Sequence, residues 1–366
     1  MTTNAFGTLA RQEQCEKTPR VAVLCHVYNG EQYLDEMIQS VLTQTFTEFE
    51  FLILDDGSTD RTKAIVGQYQ QDRRLRYVYQ DNIGRSGNAF HTILNRCVAH
   101  TTAELLCFIG ADDVFLPQKL AIQVSRFDQD RSVDLVFSDG YHINAQGRIL
   151  ASDFHFDEAL TFTRRSLLRT LFSKNIVAHP TVMVTRRAVE RLGGFETGFC
   201  PDYQFWLKAS RQLHFAYIAD KLIKYRVHVQ GVSTGRNNKT TPETVRLLAD
   251  TRVRYTIDDL YPEIADCHDQ ALARYSAHLH FGNVLMTANI PVPRLALAEY
   301  RDALAAKPNG VAALNNAAIA LTMLGDTKQI ATCLALMRVH GGHVSTVQKN
   351  LLALQQRMHI GCVLFC

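Results

Sequence analysis

The sequence predicts an α/β protein with a mostly parallel sheet covered by helices on both faces. Apolar runs of strand length alternate with amphipathic stretches from about residue 20 to residue 113. Near-continuous apolar strands are typical of sheets buried on both faces. From about Pro242 the pattern becomes helical and rich in Ala and Leu, which indicates a C-terminal α-helical region.

The elements follow in order after a loose leader over residues 1–19. The predicted strands are residues 21–29, 49–56, 75–80 and 104–110. The helices expected between them are residues 31–45, 58–72 and 86–100, with Ser58 or Thr59 as the N-cap of the second. Residues 133–150 are expected to form a strand and hairpin with a Gln-Gly turn.

The C-terminal region contains one stretch, residues 295–325, that resembles a tetratricopeptide-type unit. A helix, a Pro-Asn-Gly turn and a second helix are expected there. Because solenoids need about three or more such repeats, a helical appendage packed on the main domain is the plainer interpretation.

Composition excludes some function classes. Lys and Arg total 39 and Asp and Glu total 36, and a net charge of +3 argues against a nucleic-acid binder. The nine cysteines are scattered without zinc spacing, which favours a reducing cytoplasm. No run approaches the roughly 18 apolar residues of a membrane span. The apolar end, HIGCVLFC, leaves open a peripheral contact between the C-terminal helices and a membrane or protein partner.

Three polar clusters fall at the carboxyl ends of predicted strands. They are VYN at residues 27–29, DDGSTD at residues 55–60 and GADD at residues 110–113. Because parallel sheets bind ligands at the carboxyl ends of their strands, we expect the clusters to meet in one crevice.

The second and third clusters suit a nucleotide and its metal. A carboxylate at residues 55–60 can accept hydrogen bonds from a base or ribose, while a helix N-terminus attracts anions. Asp112 and Asp113 would repel each other unless a cation or solvent screens them, and hard divalent ions bind carboxylates and phosphates together. Ordinary helix capping is the alternative for either cluster taken alone.

These motifs, in this order, resemble the family 2 glycosyltransferases, which are inverting sugar-nucleotide enzymes of the GT-A fold. Further matches are Gly193-Gly194-Phe195, PDYQFW at residues 201–206 and YRVH at residues 225–228. The resemblance covers roughly residues 20–235. It implies a Rossmann-like GT-A domain over residues 20–238 and a helical C-terminal domain over residues 239–366.

The resemblance also implies site roles. It assigns nucleotide binding to Val27, Tyr28, Asn29, Asp55, Asp56, Arg85, Ala111 and Asp112. It assigns Mn²⁺ or Mg²⁺ to Asp112, Asp113 and His228, and the diphosphate side to Arg226 and His228. It makes Asp202 the general base that deprotonates the acceptor hydroxyl, and it places His179 and Trp206 on the acceptor side.

Several of these residues have plainer interpretations. Arg85 also fits a solvated loop, His179 a structural hydrogen-bond donor, and Trp206 core packing between Phe205 and Leu207. Gly193 and Gly194 are expected to form a helix C-cap. Two departures from the family stand out: Gly110 replaces a carboxylate that often binds ribose, and Pro201 replaces an expected Glu.

The resemblance therefore implies a hexosyltransferase. It would move a sugar from a UDP-linked donor to a hydroxyl of a glycan or glycolipid in bacterial surface polysaccharide synthesis. A non-catalytic scaffold is the first alternative, favoured by Gly110 and Pro201. A sugar-nucleotide nucleotidyltransferase is the second, but it would need a Gly-rich loop where CHVYNGEQY has only Gly30.

Overall fold

The computed structural model describes residues 19–83, 89–153, 162–198, 200–231, 240–288 and 291–340. Within these ranges, nine strands form one sheet. They are β1 (Val21–Val27), β2 (Phe49–Asp56), β3 (Leu75–Gln80), β4 (Leu105–Gly110), β5 (Val114–Phe115), β6 (Leu135–Ile143), β7 (Ile149–Asp153), β8 (Met183–Thr185) and β9 (Phe215–Arg226).

Helices cover the sheet and continue beyond it. The helices among the strands are α1 (Leu34–Leu42), α2 (Thr62–Gly67), α3 (Phe90–Ala99), α4 (Lys119–Gln129), α5 (Leu167–Ser173), α6 (Arg186–Arg191) and α7 (Pro201–Ala209). Those after β9 are α8 (Thr240–Arg252), α9 (Ile257–Leu260), α10 (Gln270–Thr287), α11 (Pro293–Ala306), α12 (Val311–Leu324) and α13 (Thr327–Val339). Two 3₁₀ turns lie at His179–Thr181 and Pro262–Asp266.

The sheet is mixed, as the fold class predicts. Its order is β3-β2-β1-β4-β8-β6-β9-β5, with β7 paired to β6. The four strands from β3 to β4 run parallel, and so do β6 and β9, whereas β8, β5 and β7 pair antiparallel to their neighbours. The carboxyl ends of β1, β2 and β4 therefore open on the same edge.

Alternate side chains of the central strands enter two different cores. Leu24 and Leu54 pack in the core that also holds α3 and α7, while Val23 and Ile53 pack against α1 on the other face. Strands that bury both faces need apolar residues at nearly every position. This requirement explains why the first, second and fourth strands could be located from sequence to within one or two residues.

The turns show where local expectation holds and where it fails. Gly193 and Gly194 end α6 with φ of +77° each, and the Gly194 N–H bonds the Val189 carbonyl, so the predicted C-cap is confirmed. The predicted N-cap of the second helix is wrong. Helix α2 begins only at Thr62, because the preceding polar residues bond the neighbouring loop instead.

The helical region shares a core with the sheet domain. Phe281 of α10 packs edge to face on Phe172 of α5, at 5.2 Å between ring centroids. Helices α11 and α12 form the expected helical hairpin, and Gly325 ends it at φ +76°. The expectation of a helical appendage on the main domain fits this packing, while the boundary near residue 238 stays a prediction.

Candidate active site

A cleft of about 320 Å³ opens at the carboxyl ends of β1 and β4. Its lining residues are His26, Val27, Tyr28, Asn29, Gly30, Gln32, Tyr33, Ala111, Asp112, His228, Gln230 and Gly231. Two of the three polar clusters thus line one cavity, and the third, at residues 55–60, is bonded directly to its wall. The expected convergence holds for the VYN and GADD clusters, while the DDGSTD cluster adjoins the cleft through its bonds to Asn29.

The loops after β1 and β2 are locked together by hydrogen bonds. The Asn29 N–H donates to Ser58 Oγ at 2.8 Å, and the Thr59 N–H donates to Asn29 Oδ1 at 2.9 Å. Gly57 makes the turn possible with φ of +81°, and a Cβ there would lie 2.6 Å from the Asn82 nitrogen. The hydroxyls of the DDGSTD segment therefore build the cleft wall rather than cap a helix.

Asp55 and Asp56 have different roles, although both are buried. Asp55 points to the α1 face, where its oxygens accept bonds from the Ser58 N–H at 2.8 Å and the Tyr77 hydroxyl at 2.5 Å. The pKa of Tyr77 is raised, mainly because the phenol is buried and to a smaller extent because it bonds Asp55. The nucleotide contact predicted for Asp55 is not supported, because both oxygens are engaged in shaping the loop.

Asp56 keeps one oxygen available. Its Oδ1 accepts bonds from Gln80 Nε2 at 2.5 Å and from the Ile83 N–H at 3.1 Å. Its Oδ2 is buried and has no hydrogen-bond partner in the described part of the chain. A buried acceptor without a donor is costly unless a ligand supplies one, so this oxygen fits the predicted contact with an N–H of a base.

Asp112 and His228 form a pair at the cleft. His228 Nε2 lies 2.8 Å from Asp112 Oδ2, and the Asp112 side chain is 35% exposed. Tyr33 packs edge-on against the His228 ring at 5.1 Å between centroids. A carboxylate oxygen beside an imidazole nitrogen is a donor set that suits Mn²⁺, so these residues fit the metal that the sequence predicts.

Asp113 and Arg226 support that pair from behind. Asp113 is 3% exposed, and its Oδ1 accepts the Arg226 N–H at 3.0 Å. Burial, and then the charge of Asp112, raise the pKa of Asp113. The structure therefore gives Asp113 a buried structural role rather than the predicted position at a metal.

The guanidinium of Arg226 does not reach the cleft. Its side chain is 1% exposed and lies over the Tyr33 ring, at 4.5 Å from Cζ to the centroid. Nε donates to the Asp112 carbonyl at 2.8 Å, and a terminal nitrogen donates to Glu36 at 2.5 Å. The diphosphate contact predicted for Arg226 is replaced by a role in holding the Asp112 main chain.

The arrangement of Asp112 and Asp113 explains why residue 110 is a glycine. A Cβ built on it would lie 2.8 Å from Asp112 Oδ1 and 2.8 Å from Asp113 Oδ2. The two aspartates thus occupy the space that a side chain at residue 110 would need. The glycine that departs from the family pattern therefore leaves room for both carboxylates.

Asp202 lies in the first turn of α7, directly after Pro201 at the start of the helix. Proline is favoured there, since its missing N–H is not needed and its φ suits the helix. An acidic side chain at this end is stabilised by the helix dipole. The Asp202 side chain is 24% exposed, and its Oδ2 lies 3.9 Å from His179 Nδ1. The replacement by Pro201 therefore leaves the carboxylate in place.

The two predicted acceptor-side residues differ. His179 lies beside Asp202 and packs on Phe108, with 4.7 Å between the ring centroids. Phe108 belongs to β4 and precedes Gly110 by two residues. Trp206 is fully buried, so it cannot contact an acceptor. Its predicted acceptor role is replaced by core packing against the His179 and Phe205 rings. Arg85 lies outside the described residues.

A second group of possible ligands lies far along the chain from the cleft residues. His278, Glu299 and Asp302 are the three-residue group in the described ranges whose oxygens and nitrogens lie within 4.8 Å of one another. Buried Glu299 already pairs with Arg252 Nε at 2.6 Å and His278 Nδ1 at 2.8 Å. This group therefore joins α8, α10 and α11.

Sequence reasoning missed three contributors to the site: Tyr33, Glu36 and His26. Tyr33 is the N-cap residue of α1 and packs on His228, and Glu36 contacts Arg226 across 190 positions of sequence. Neither has a local signal. His26 has one, since it is the single histidine within the otherwise apolar strand β1. Its ring packs on Phe90 at 4.8 Å and lines the cleft.

Comparison with known proteins decides the family. The model of glycosyl transferase family 2 matches residues 23–193. The uncharacterized glycosyltransferase MJ1057 of Methanocaldococcus jannaschii is 30% identical over 215 residues, which cover 57% of this chain and 71% of that protein. The chain belongs to glycosyltransferase family 2.

One further relative agrees with the family assignment, and one solved structure agrees with the fold. The putative teichuronic acid biosynthesis glycosyltransferase TuaG of Bacillus subtilis is 28% identical over 221 residues, covering 60% of this chain and 83% of TuaG. The mannosyltransferase PcManGT of Pyrobaculum calidifontis, solved with GDP-Man and Mn²⁺, aligns with a TM-score of 0.50 and 20% identity, covering 92% of this chain and 86% of its own. The structure of PcManGT supports the GT-A fold.

No helix among the described residues has both the length and the apolar character needed to cross a bilayer.

Proposed function

We propose that this glycosyltransferase moves a sugar from a nucleotide-diphosphate donor, UDP-linked by family resemblance, to a hydroxyl of a glycan or glycolipid. The observation that carries the proposal is the presence of two ligand-binding features on one sheet edge, an unsatisfied carboxylate oxygen and a carboxylate–imidazole pair. Asp56 Oδ2 is buried without a donor, and Asp112 lies beside His228 at the cleft. A base N–H suits the first, and a diphosphate with its metal suits the second.

Asp202 would perform the proton transfer. As an acceptor hydroxyl attacks the anomeric carbon, the Asp202 carboxylate takes the hydroxyl proton. The bond between the anomeric carbon and the diphosphate oxygen breaks, and its electron pair leaves with the diphosphate. A single displacement of this kind inverts the anomeric configuration. A divalent cation bound by Asp112 and His228 would supply charge neutralisation for the leaving diphosphate.

The biological setting is also a proposal. The name of TuaG refers to teichuronic acid, a polymer whose synthesis matches the surface-polysaccharide role implied by the family resemblance. The described cysteines Cys25, Cys97, Cys107, Cys200, Cys267 and Cys333 are free thiols, which supports work in the reducing cytoplasm.

The test is a donor screen with the full chain. UDP-GlcNAc, UDP-Glc, UDP-Gal and GDP-Man are incubated with Mn²⁺ or Mg²⁺, and nucleotide release is measured with water as the acceptor. We expect metal-dependent release from one donor, and a loss of about 10²- to 10⁴-fold in Asp202→Asn with unchanged nucleotide affinity. Asp250→Asn, which removes an exposed carboxylate of α8, is the matched control.

Two outcomes would contradict the proposal. Equal release by Asp202→Asn and the parent protein would exclude Asp202 as the base. An absence of affinity for every nucleotide with either metal would favour the scaffold alternative instead.

A further inference from the structure

His179 is placed to act on Asp202. Its Nδ1 atom is buried and has no hydrogen-bond partner among the described residues, and Asp202 Oδ2 is 3.9 Å away. A buried imidazole nitrogen without a partner is costly. The carboxylate oxygen is the acceptor that a movement of about 1 Å would bring to the usual hydrogen-bond distance of about 2.9 Å.

The His179 ring is held in position on two sides. Phe108 of β4 packs on it at 4.7 Å and Trp206 of α7 at 6.4 Å between ring centroids. The 3₁₀ turn that begins at His179 is closed by the Thr181 hydroxyl, which donates to the Ala178 carbonyl at 2.6 Å. Because the ring is fixed, the gap closes through movement of the partly exposed Asp202 side chain.

The protonation state of the ring favours donation. Burial lowers the pKa of His179, although the charge of Asp202 opposes this effect. Asp202 is the charged group among the described residues that acts on this pKa. A neutral ring carries one proton. If that proton were on Nε2, the Nδ1 lone pair would face a carboxylate, so the tautomer with the proton on Nδ1 is the favourable one.

We propose that His179 is a positioning residue for the transfer reaction, and that its Nδ1–H group donates a hydrogen bond to the Asp202 carboxylate in the substrate complex. The proposal rests on the proposed function of Asp202 as the base. One carboxylate oxygen is then held by His179. The other is directed at the acceptor hydroxyl, whose proton it receives as the new glycosidic bond forms.

Two variants separate donation from ring packing. His179→Phe keeps a ring between Phe108 and Trp206 but has no donor. His179→Asn loses the ring, but its amide nitrogen can lie close to the position of Nδ1. We expect His179→Phe to lose about 10- to 100-fold in kcat for nucleotide release, the factor that a hydrogen bond to a charged group supplies. His179→Asn should retain most of the activity.

A pH profile provides a readout that a purely structural role would not change. A donated hydrogen bond stabilises the ionised carboxylate. Its loss in His179→Phe should therefore move the acidic limb of the kcat profile, which reports the substrate complex, to higher pH, with the KM for the donor nearly unchanged. UDP-GlcNAc and GDP-Man with Mn²⁺ are the probes, and nucleotide binding reports that each variant is folded.

The results that overturn the proposal are specific. An active His179→Phe with an unshifted acidic limb, beside an inactive but nucleotide-binding His179→Asn, would show that the ring packs and does not donate. An active Asp202→Asn would instead remove the proposed function itself. The two failures are therefore distinguishable in one set of assays.

Discussion

Replacing Arg226 by methionine should destabilise the protein strongly, because this buried side chain holds three segments together. Its guanidinium donates to the carbonyl oxygens of Asp112 at 2.8 Å, Asn144 at 3.2 Å and Ala145 at 3.3 Å. Leaving a buried acceptor without its donor costs about 1–3 kcal/mol. The bond to Glu36 adds little, since that carboxylate is 51% exposed and returns to water.

These bonds are not additive, so we expect the free energy of unfolding to fall by about 3–5 kcal/mol in Arg226→Met, the range for breaking one partner of a buried charged network. Urea unfolding followed by the fluorescence of Trp206 measures this. Trp206 is the single tryptophan of the chain and is fully buried. The matched control is Arg61→Met, whose side chain is 80% exposed. It should change stability by less than about 1 kcal/mol.

The same experiment can refute the reasoning. If the free energy of unfolding of Arg226→Met lies within about 1 kcal/mol of that of the parent protein, the guanidinium bonds do not hold the Asp112 segment. If the variant is destabilised but binds UDP and Mn²⁺ as the parent does, the bonds stabilise the fold without positioning Asp112.

Three further predictions concern the cleft and its surroundings. Gly57→Ala should cost more than the roughly 1–2 kcal/mol of a left-handed alanine, because its Cβ meets the Asn82 nitrogen; Gly193→Ala, with open space around the same Cβ, should cost only that amount in thermal unfolding. Asp112→Ala should remove the Mn²⁺-dependent part of UDP affinity in calorimetry, and an equal response to Mn²⁺ in both proteins would exclude Asp112 as a ligand. Burial holds the pKa of His179 below its ordinary value of 6.5. The imidazole therefore binds a proton more readily in the unfolded chain than in the folded protein. As a result, the free energy of unfolding decreases as pH falls below 6.5. Urea unfolding at about pH 7.5 and pH 5.5 should show a smaller decrease in His179→Phe, and equal decreases would contradict this.

The sheet and its crevice were predictable because their signals are local. A strand buried on both faces leaves an apolar run, and the polar residues that end it mark the carboxyl edge of the sheet. This is why the polar residues at the ends of β1, β2 and β4 could be assigned to one edge of the sheet from the sequence alone.

The division of labour within each cluster was not predictable from sequence. Asp55 and Asp56 are adjacent and chemically identical, but strand alternation directs one to the α1 face and the other to the opposite face. Arg226 has a conspicuous charge in a family motif, yet its burial depends on Glu36 and on carbonyls about 80 and 114 positions away. Only the tertiary structure shows which charged side chains are buried and paired inside the protein and which face the cleft.

The central claim is that the cleft binds a nucleotide with its base at Asp56 and its diphosphate at Asp112 and His228. A crystal structure of the protein with UDP and Mn²⁺ tests this most directly, with GDP and Mn²⁺ as the parallel sample. The account predicts Mn²⁺ on Asp112 and His228, and a base N–H bonded to Asp56 Oδ2. Mn²⁺ held instead by His278, Glu299 and Asp302, or a nucleotide bound in another cavity, would contradict it.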